Sequence, residues 1–153
     1  SDARGMAPLA RLGLLQLACG LGLALAAERK IIHVPGWPKI PIFSPAVAVG
    51  DLLFISGTVG FDLSVSPPAK CAGGAAGETK CALANVATIL KAAGTSPDKL
   101  VDCTVFLASM DDFDAVNAEY VKFFPGDPPA RAAFAAAKLA GGAAVELKCI
   151  AAL

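Results

Sequence analysis

The sequence predicts one small α/β domain over residues 28–153, preceded by an apolar segment over residues 1–27. Three observations predict the domain. Runs rich in β-branched and aromatic residues lie at 46–57, 100–107 and 145–150, and such residues suit a pleated, half-buried surface. Between them, at 78–93 and 111–124, apolar residues recur at spacings of three and four, as on the buried face of a helix. The length of 153 residues suits one domain.

The elements follow in order. Ser1-Asp2-Ala3-Arg4-Gly5 reads as upstream translation ahead of Met6. Arg11, the apolar run Leu12–Leu23 and the Ala24-Leu25-Ala26 motif then follow the grammar of a secretory signal peptide. The run is shorter than the ~20 residues of a membrane span. Cleavage is expected near Ala26, with entry into the secretory pathway. The alternative is a retained helix or anchor, and only residues 12–27 offer a route to membrane contact. Residues 28–45 carry Pro35, Pro38, Pro41 and Pro45. Proline lacks the amide donor and restricts its neighbour, so this stretch is expected to be an extended, irregular linker, with the lone His33 on its surface. Ala46–Val49 and Leu52–Gly57 read as strands joined by a Gly50-Asp51 turn. Residues 63–77, with two prolines and three glycines, read as a loop. Leu83, Val86, Ile89 and Leu90 mark a helix over Glu78–Ala93 that stops at Gly94. Leu100–Leu107 is a strand. Asp111 and Asp112 open a second helix, where acidic side chains suit the helix dipole, and Pro125 and Gly126 end it. Ala132–Leu139 is almost all alanine, which favours helix by propensity. Val145–Ile150 reads as a strand.

Composition narrows the function classes. Thirteen basic and thirteen acidic residues give zero formal net charge. With no basic block or stripe, nucleic acid is not an expected partner. Charged residues are only 17%, and the excess is alanine, which buries little apolar area per residue. A thin core of this kind points to self-association. The five cysteines form no CxxC pair and the chain has one histidine, so no metal site is expected. Cys103 and Cys149 read as small buried apolar residues. Cys71 and Cys81 flank a Gly/Ala loop and form the candidate disulfide in an oxidising compartment.

An ordered set of segments is similar to the RidA/YjgF family of enamine/imine deaminases. It comprises Arg29–His33 and Phe43–Val47, Leu52–Gly57, Leu83–Val86 with Ala92-Ala93-Gly94, Thr104–Leu107, Met110–Phe113, Val116–Tyr120, Phe123-Phe124, Pro129-Ala130-Arg131, and Val145–Leu147 with Ile150-Ala151. The resemblance spans roughly residues 29–153. It implies an α+β, chorismate-mutase-like fold: an antiparallel-dominated sheet with two helices on one face, assembled as a homotrimer with clefts between subunits. It also turns residues 130–137 from helix to strand.

The resemblance further implies a site that needs no cofactor or metal. Its ligand would be a small imino or keto acid carrying a carboxylate. Arg131 falls at the position of the family's carboxylate-binding arginine. A guanidinium fork matches two carboxylate oxygens at once. Glu146 falls at the position of the glutamate that positions or deprotonates water. Phe43, Ser44, Asn117 and Ala133 fall at substrate-lining positions. Three of this chain's residues depart from the pattern. Phe43 stands where a tyrosine is usual, Pro45 replaces a polar residue, and Ala133 stands where many members carry cysteine. The expected reaction is hydrolysis of 2-imino acids to 2-keto acids and ammonia. The competing readings are a non-catalytic ligand-binding trimer and an accessory subunit tethered by its N-terminal segment. Neutral charge and the absence of a His/Lys cluster oppose a ribonuclease.

Overall fold

A computed structural model describes residues 28–124 and 126–153. The signal-like segment, its cleavage site and Pro125 lie outside the described residues. The strands are β1 (Arg29–Ile32), β2 (Ala46–Val49), β3 (Leu52–Ile55), β4 (Thr58–Val59), β5 (Phe61–Asp62), β6 (Ala69–Lys70), β7 (Leu100–Leu107), β8 (Ala130–Ala135) and β9 (Val145–Ala152). The helices are α1 (Gly74–Ala93) and α2 (Phe113–Phe123).

The main sheet runs β1-β2-β3-β9-β7-β8, with β4 also paired to β9, while β5 and β6 form a separate pair. Every pairing in the main sheet is antiparallel except β7 with β8. The β2–β3 hairpin turns on Gly50-Asp51, with Val49 opposite Leu52, and Gly50 adopts the left-handed φ of 55° that the turn requires. Residues 28–45 hold more order than their prolines led us to expect. β1 forms ahead of the first proline and pairs with β2, so its amides are used before the chain loses them. His33 is exposed, as expected.

Both helices pack on one face. Leu53 and Ile55 of β3, Val105 and Leu107 of β7, and Val145 and Leu147 of β9 are fully buried with Val86, Ile89 and Leu90 of α1 and Val116 of α2. Burying each such side chain is worth ~1.5–3 kcal/mol, more than the buried alanines beside them, such as Ala46, Ala82 and Ala151, contribute. The alternation of inward and outward residues along β9 is complete, since Val145, Leu147, Cys149 and Ala151 are buried.

Helix α1 begins four residues before the expected Glu78, inside the glycine-rich stretch read as loop. Tertiary contacts account for this. A Cβ on Gly77 would overlap the carbonyl of Ala72, so only glycine lets the first turn close. A disulfide between Cys71, the residue after β6, and Cys81 ties that segment to the helix. Glu78 is therefore interior: it is 2% exposed, accepts from the Ala144 amide at 2.6 Å and lies 3.6 Å from the Lys70 ammonium. Buried charge requires such partners.

Cys103 and Cys149 are buried, as expected of small apolar residues. They are also joined to each other, because they sit directly opposite on β7 and β9 with Cα atoms 4.2 Å apart. The alanine-rich tail is strand β8, parallel to β7. A strand edge on β7 with its amides and carbonyls unused outweighs the helix propensity of alanine. The face of the sheet opposite the helices leaves Leu52, Phe54 and Phe134 partly open to solvent, each 41–48% exposed.

Candidate active site

Arg131 is the second residue of β8 and pairs with Cys103, whose side chain is fully buried. Residues directly opposite on paired strands share a face, so Arg131 points to the helix side. There the guanidinium carbon lies 4.4 Å from the centre of the Tyr120 ring and 5.9 Å from that of Phe113, both on α2. Nη1 donates to Oδ1 of Asn117, one turn before Tyr120, at 2.5 Å. Asn117 thus holds the arginine in place. Nε and Nη2 are buried and have no acceptor. These two nitrogens form one edge of the guanidinium, the edge that grips a carboxylate with two parallel bonds. Burial lowers the arginine's pKa, and the neighbouring Tyr120 opposes the shift. Burial pushes the Tyr120 phenol up to about 12, against the pull of the Arg131 charge and with a small push from Asp102. The phenol is therefore neutral, and its buried hydroxyl has no partner. Ala133, two residues along, shares the helix-facing side beside Val105.

Glu146 is the second residue of β9 and pairs with Phe106 on one side and Val59 on the other. Phe106 leaves the face away from the helices, because its neighbours Val105 and Leu107 are buried under them. Glu146 therefore points to that same outer face. A Cβ on Gly57 would overlap Glu146 Oε1, so the carboxylate rests on the glycine backbone. Ser56 precedes it; its hydroxyl donates to the Ser44 carbonyl at 2.6 Å and its amide to the Pro45 carbonyl at 3.0 Å. These bonds fasten the loop that carries Phe43 and Ser44 against the end of β3. Phe43 is 44% exposed. Phe43, Ser44, Ser56 and Gly57 line one wall of a cavity of about 490 Å³.

The six residues singled out from the sequence thus form two groups. Arg131, Asn117 and Ala133 sit on the helix side at the edge strand. Glu146 lies two strands in from that edge, on β9 and on the opposite face, with the loop bearing Phe43 and Ser44 fastened to the end of β3 near it. One chain does not bring the two groups together. The sequence reading missed three participants. Tyr120 appeared as core, since its helical spacing is that of a packing residue. Ser56 and Gly57 appeared as the end of a strand, although the Ser-Gly pair after a β-rich run marks a close backbone approach. Among the described residues no group of histidine, cysteine and acidic side chains could hold a metal ion.

Residues 38–153 match the endoribonuclease L-PSP family. The 2-iminobutanoate/2-iminopropanoate deaminase of Mus musculus is 44% identical over 80% of this chain and 90% of its own length. The protein of the same name from Homo sapiens is 41% identical over 80% and 89%. Among solved structures, RidA from an Antarctic Psychrobacter superposes with a TM-score of 0.74 at 30% identity, covering 81% of this chain and 99% of its own. The YjgF gene product of Escherichia coli gives 0.74 at 29%, covering 80% and 98%. The mixed sheet with both helices on one face is the fold of these neighbours, and the chain belongs to the endoribonuclease L-PSP family, which includes the RidA and YjgF proteins and the 2-iminobutanoate/2-iminopropanoate deaminases.

Proposed function

We propose that the protein is an enamine/imine deaminase that hydrolyses reactive 2-imino acids to 2-keto acids and ammonia, as the names of its relatives describe for them. The observation that carries this reading is the Arg131 guanidinium, oriented by Asn117 and Tyr120 with Nε and Nη2 buried and without an acceptor. Leaving charged donors unpaired is costly, and a carboxylate placed along that edge satisfies both. Fixing the carboxylate fixes the imine carbon one bond away. Glu146 then takes a proton from water as its oxygen attacks that carbon. That proton passes to the imine nitrogen to give a carbinolamine; Glu146 then takes the carbinolamine's hydroxyl proton as the C=O of the keto acid forms, and this second proton goes to the nitrogen, which leaves as ammonia.

The active unit is a homotrimer whose clefts join Arg131 of one protomer to Glu146 of the next. The separation of these residues in one chain supports this, as does the apolar outer face bearing Leu52, Phe54 and Phe134, a surface that association would cover. The signal-like segment and the two disulfides support passage through the secretory pathway, where disulfides persist. Ammonia release from freshly generated 2-aminoacrylate, measured against its spontaneous hydrolysis, tests the activity.

A further inference from the structure

The mechanism uses Glu146 and leaves a second carboxylate unexplained. Among the described residues Glu78 is the only acidic or basic residue that is buried, and burying a carboxylate is costly unless it is well partnered. One of its partners lies close to Glu146 along the chain. Glu78 Oε2 accepts from the amide of Ala144 at 2.6 Å, and Ala144 stands two residues before Glu146, just ahead of β9. Oε1 lies 3.6 Å from the Lys70 ammonium, which itself donates to the Gly142 carbonyl at 3.3 Å. Apolar contact is non-directional, whereas an accepted amide bond fixes where that amide sits. Two turns along the same face of α1, Asn85 donates twice from Nδ2, to the Phe61 carbonyl at 2.8 Å and to the Val59 carbonyl at 3.3 Å. Val59 is the cross-strand partner of Glu146 on β4. Gly60, between Val59 and Phe61, lies flat on the helix, since a Cβ there would overlap the backbone of Glu78.

We infer that Glu78 and Asn85 are positioning residues for the water-activating carboxylate of Glu146. The inference rests on the deaminase reading and names what holds its base. Both side chains come from the helix side of the sheet, and Glu146 leaves the outer face, so they act through the backbone between. Glu78 grips the entry to β9 through Ala144, and Asn85 grips the strand beside it through Val59. Together they fix where Glu146 leaves the sheet and keep Gly57, the residue before β4, against its carboxylate. Arg131 lies on β8 and takes its side-chain partners from α2. Loosening the grip of α1 therefore displaces the base and spares the carboxylate anchor. A misplacement of about an ångström can cost up to ~10²-fold in rate.

The test generates 2-iminobutanoate in situ with an amino-acid oxidase and follows imine loss above the spontaneous rate. Asn85→Ala and Glu78→Ala should each lower kcat by about 10-fold or more, with KM and the calorimetric affinity for 2-oxobutyrate unchanged. Glu78→Gln should restore most of the kcat, because its amide oxygen accepts the same bond from Ala144. The deciding readout is the double mutant. Placed in a Glu146→Gln background, Asn85→Ala should lower kcat no further, since both changes act on one group. An equal fold-loss in both backgrounds means a structural lesion and overturns the inference, as does wild-type kcat in Asn85→Ala or a loss that falls on KM and affinity. Should Glu78→Ala fail to fold, Asn85→Ala and its double mutant decide alone. If the wild-type protein turns over no imine, the deaminase reading falls, and the positioning is read from the carboxyl ¹³C resonance that Glu146→Gln abolishes. A shift of that resonance in Asn85→Ala upholds the grip on Glu146, and an unmoved resonance overturns it.

Discussion

Arg131 and Glu146 leave opposite faces of the same sheet: Arg131 pairs with Cys103 and Glu146 with Phe106, three residues apart on β7. An odd separation on one strand places side chains on different faces, so no rotamer change within a chain brings guanidinium and carboxylate together. The proposed reaction therefore requires a site shared between copies. Arg131→Ala and Glu146→Gln should each be inactive alone, and co-refolded mixtures should regain about a quarter of wild-type activity, since half the protomers carry each intact residue. Light scattering on the unmixed protein should give three chain masses. No recovery on mixing, with the trimer intact, would sink the shared site.

The two residues should also fail differently. Arg131→Ala removes the carboxylate anchor and should weaken 2-oxobutyrate binding in calorimetry, and Arg131→Lys should be nearly as poor because the fork is lost. Glu146→Gln keeps the shape and removes the base, so affinity should hold while kcat falls by roughly 10²-fold. Unchanged 2-oxobutyrate affinity in Arg131→Ala would count against the anchor.

Gly57 offers a finer probe. A Cβ there collides only with the Glu146 side chain, whose end is free to swing aside. Gly57→Ala should therefore lower kcat by about tenfold through a displaced base while thermal melting stays at the wild-type temperature. A large drop in Tm with normal turnover would mean that the glycine serves the backbone rather than the carboxylate.

The Tyr120 hydroxyl is buried without a partner, so removing it relieves an unpaired polar group. Tyr120→Phe should be as stable as wild type, or more so, at pH 7. The pH dependence has a definite sign. The folded phenol is pushed up to about 12, whereas the unfolded one titrates near ~10. The unfolded state thus loses its proton first, and wild-type stability falls as pH rises from ~10 to ~12. In Tyr120→Phe that component of the alkaline loss should be absent in denaturant melts across the same range. A destabilisation of more than ~1 kcal/mol at pH 7 would mean that the hydroxyl has a hydrogen bond to lose.

Local pattern was enough for most elements. Strand β7 and the β2–β3 hairpin follow from β-branched runs and a glycine turn, and the body of α1 from its apolar spacing, because period and turn chemistry are properties of neighbouring residues. The sequence by itself also determined which residue types are present to do chemistry: Arg131, Glu146 and Asn117 were visible through their likeness to a family. Three things were decided only by the tertiary structure. The alanine-rich β8 is a strand because β7 offers an open edge, a partner that no local propensity contains. The start of α1 at Gly74 depends on the Cys71–Cys81 link and on the close approach of Gly77 to Ala72. The division of the site into an Arg131 group and a Glu146 group depends on register, since moving a strand by one residue reverses which face each side chain takes. Which face a side chain takes is a relation between strands far apart in the chain, and only their pairing decides it.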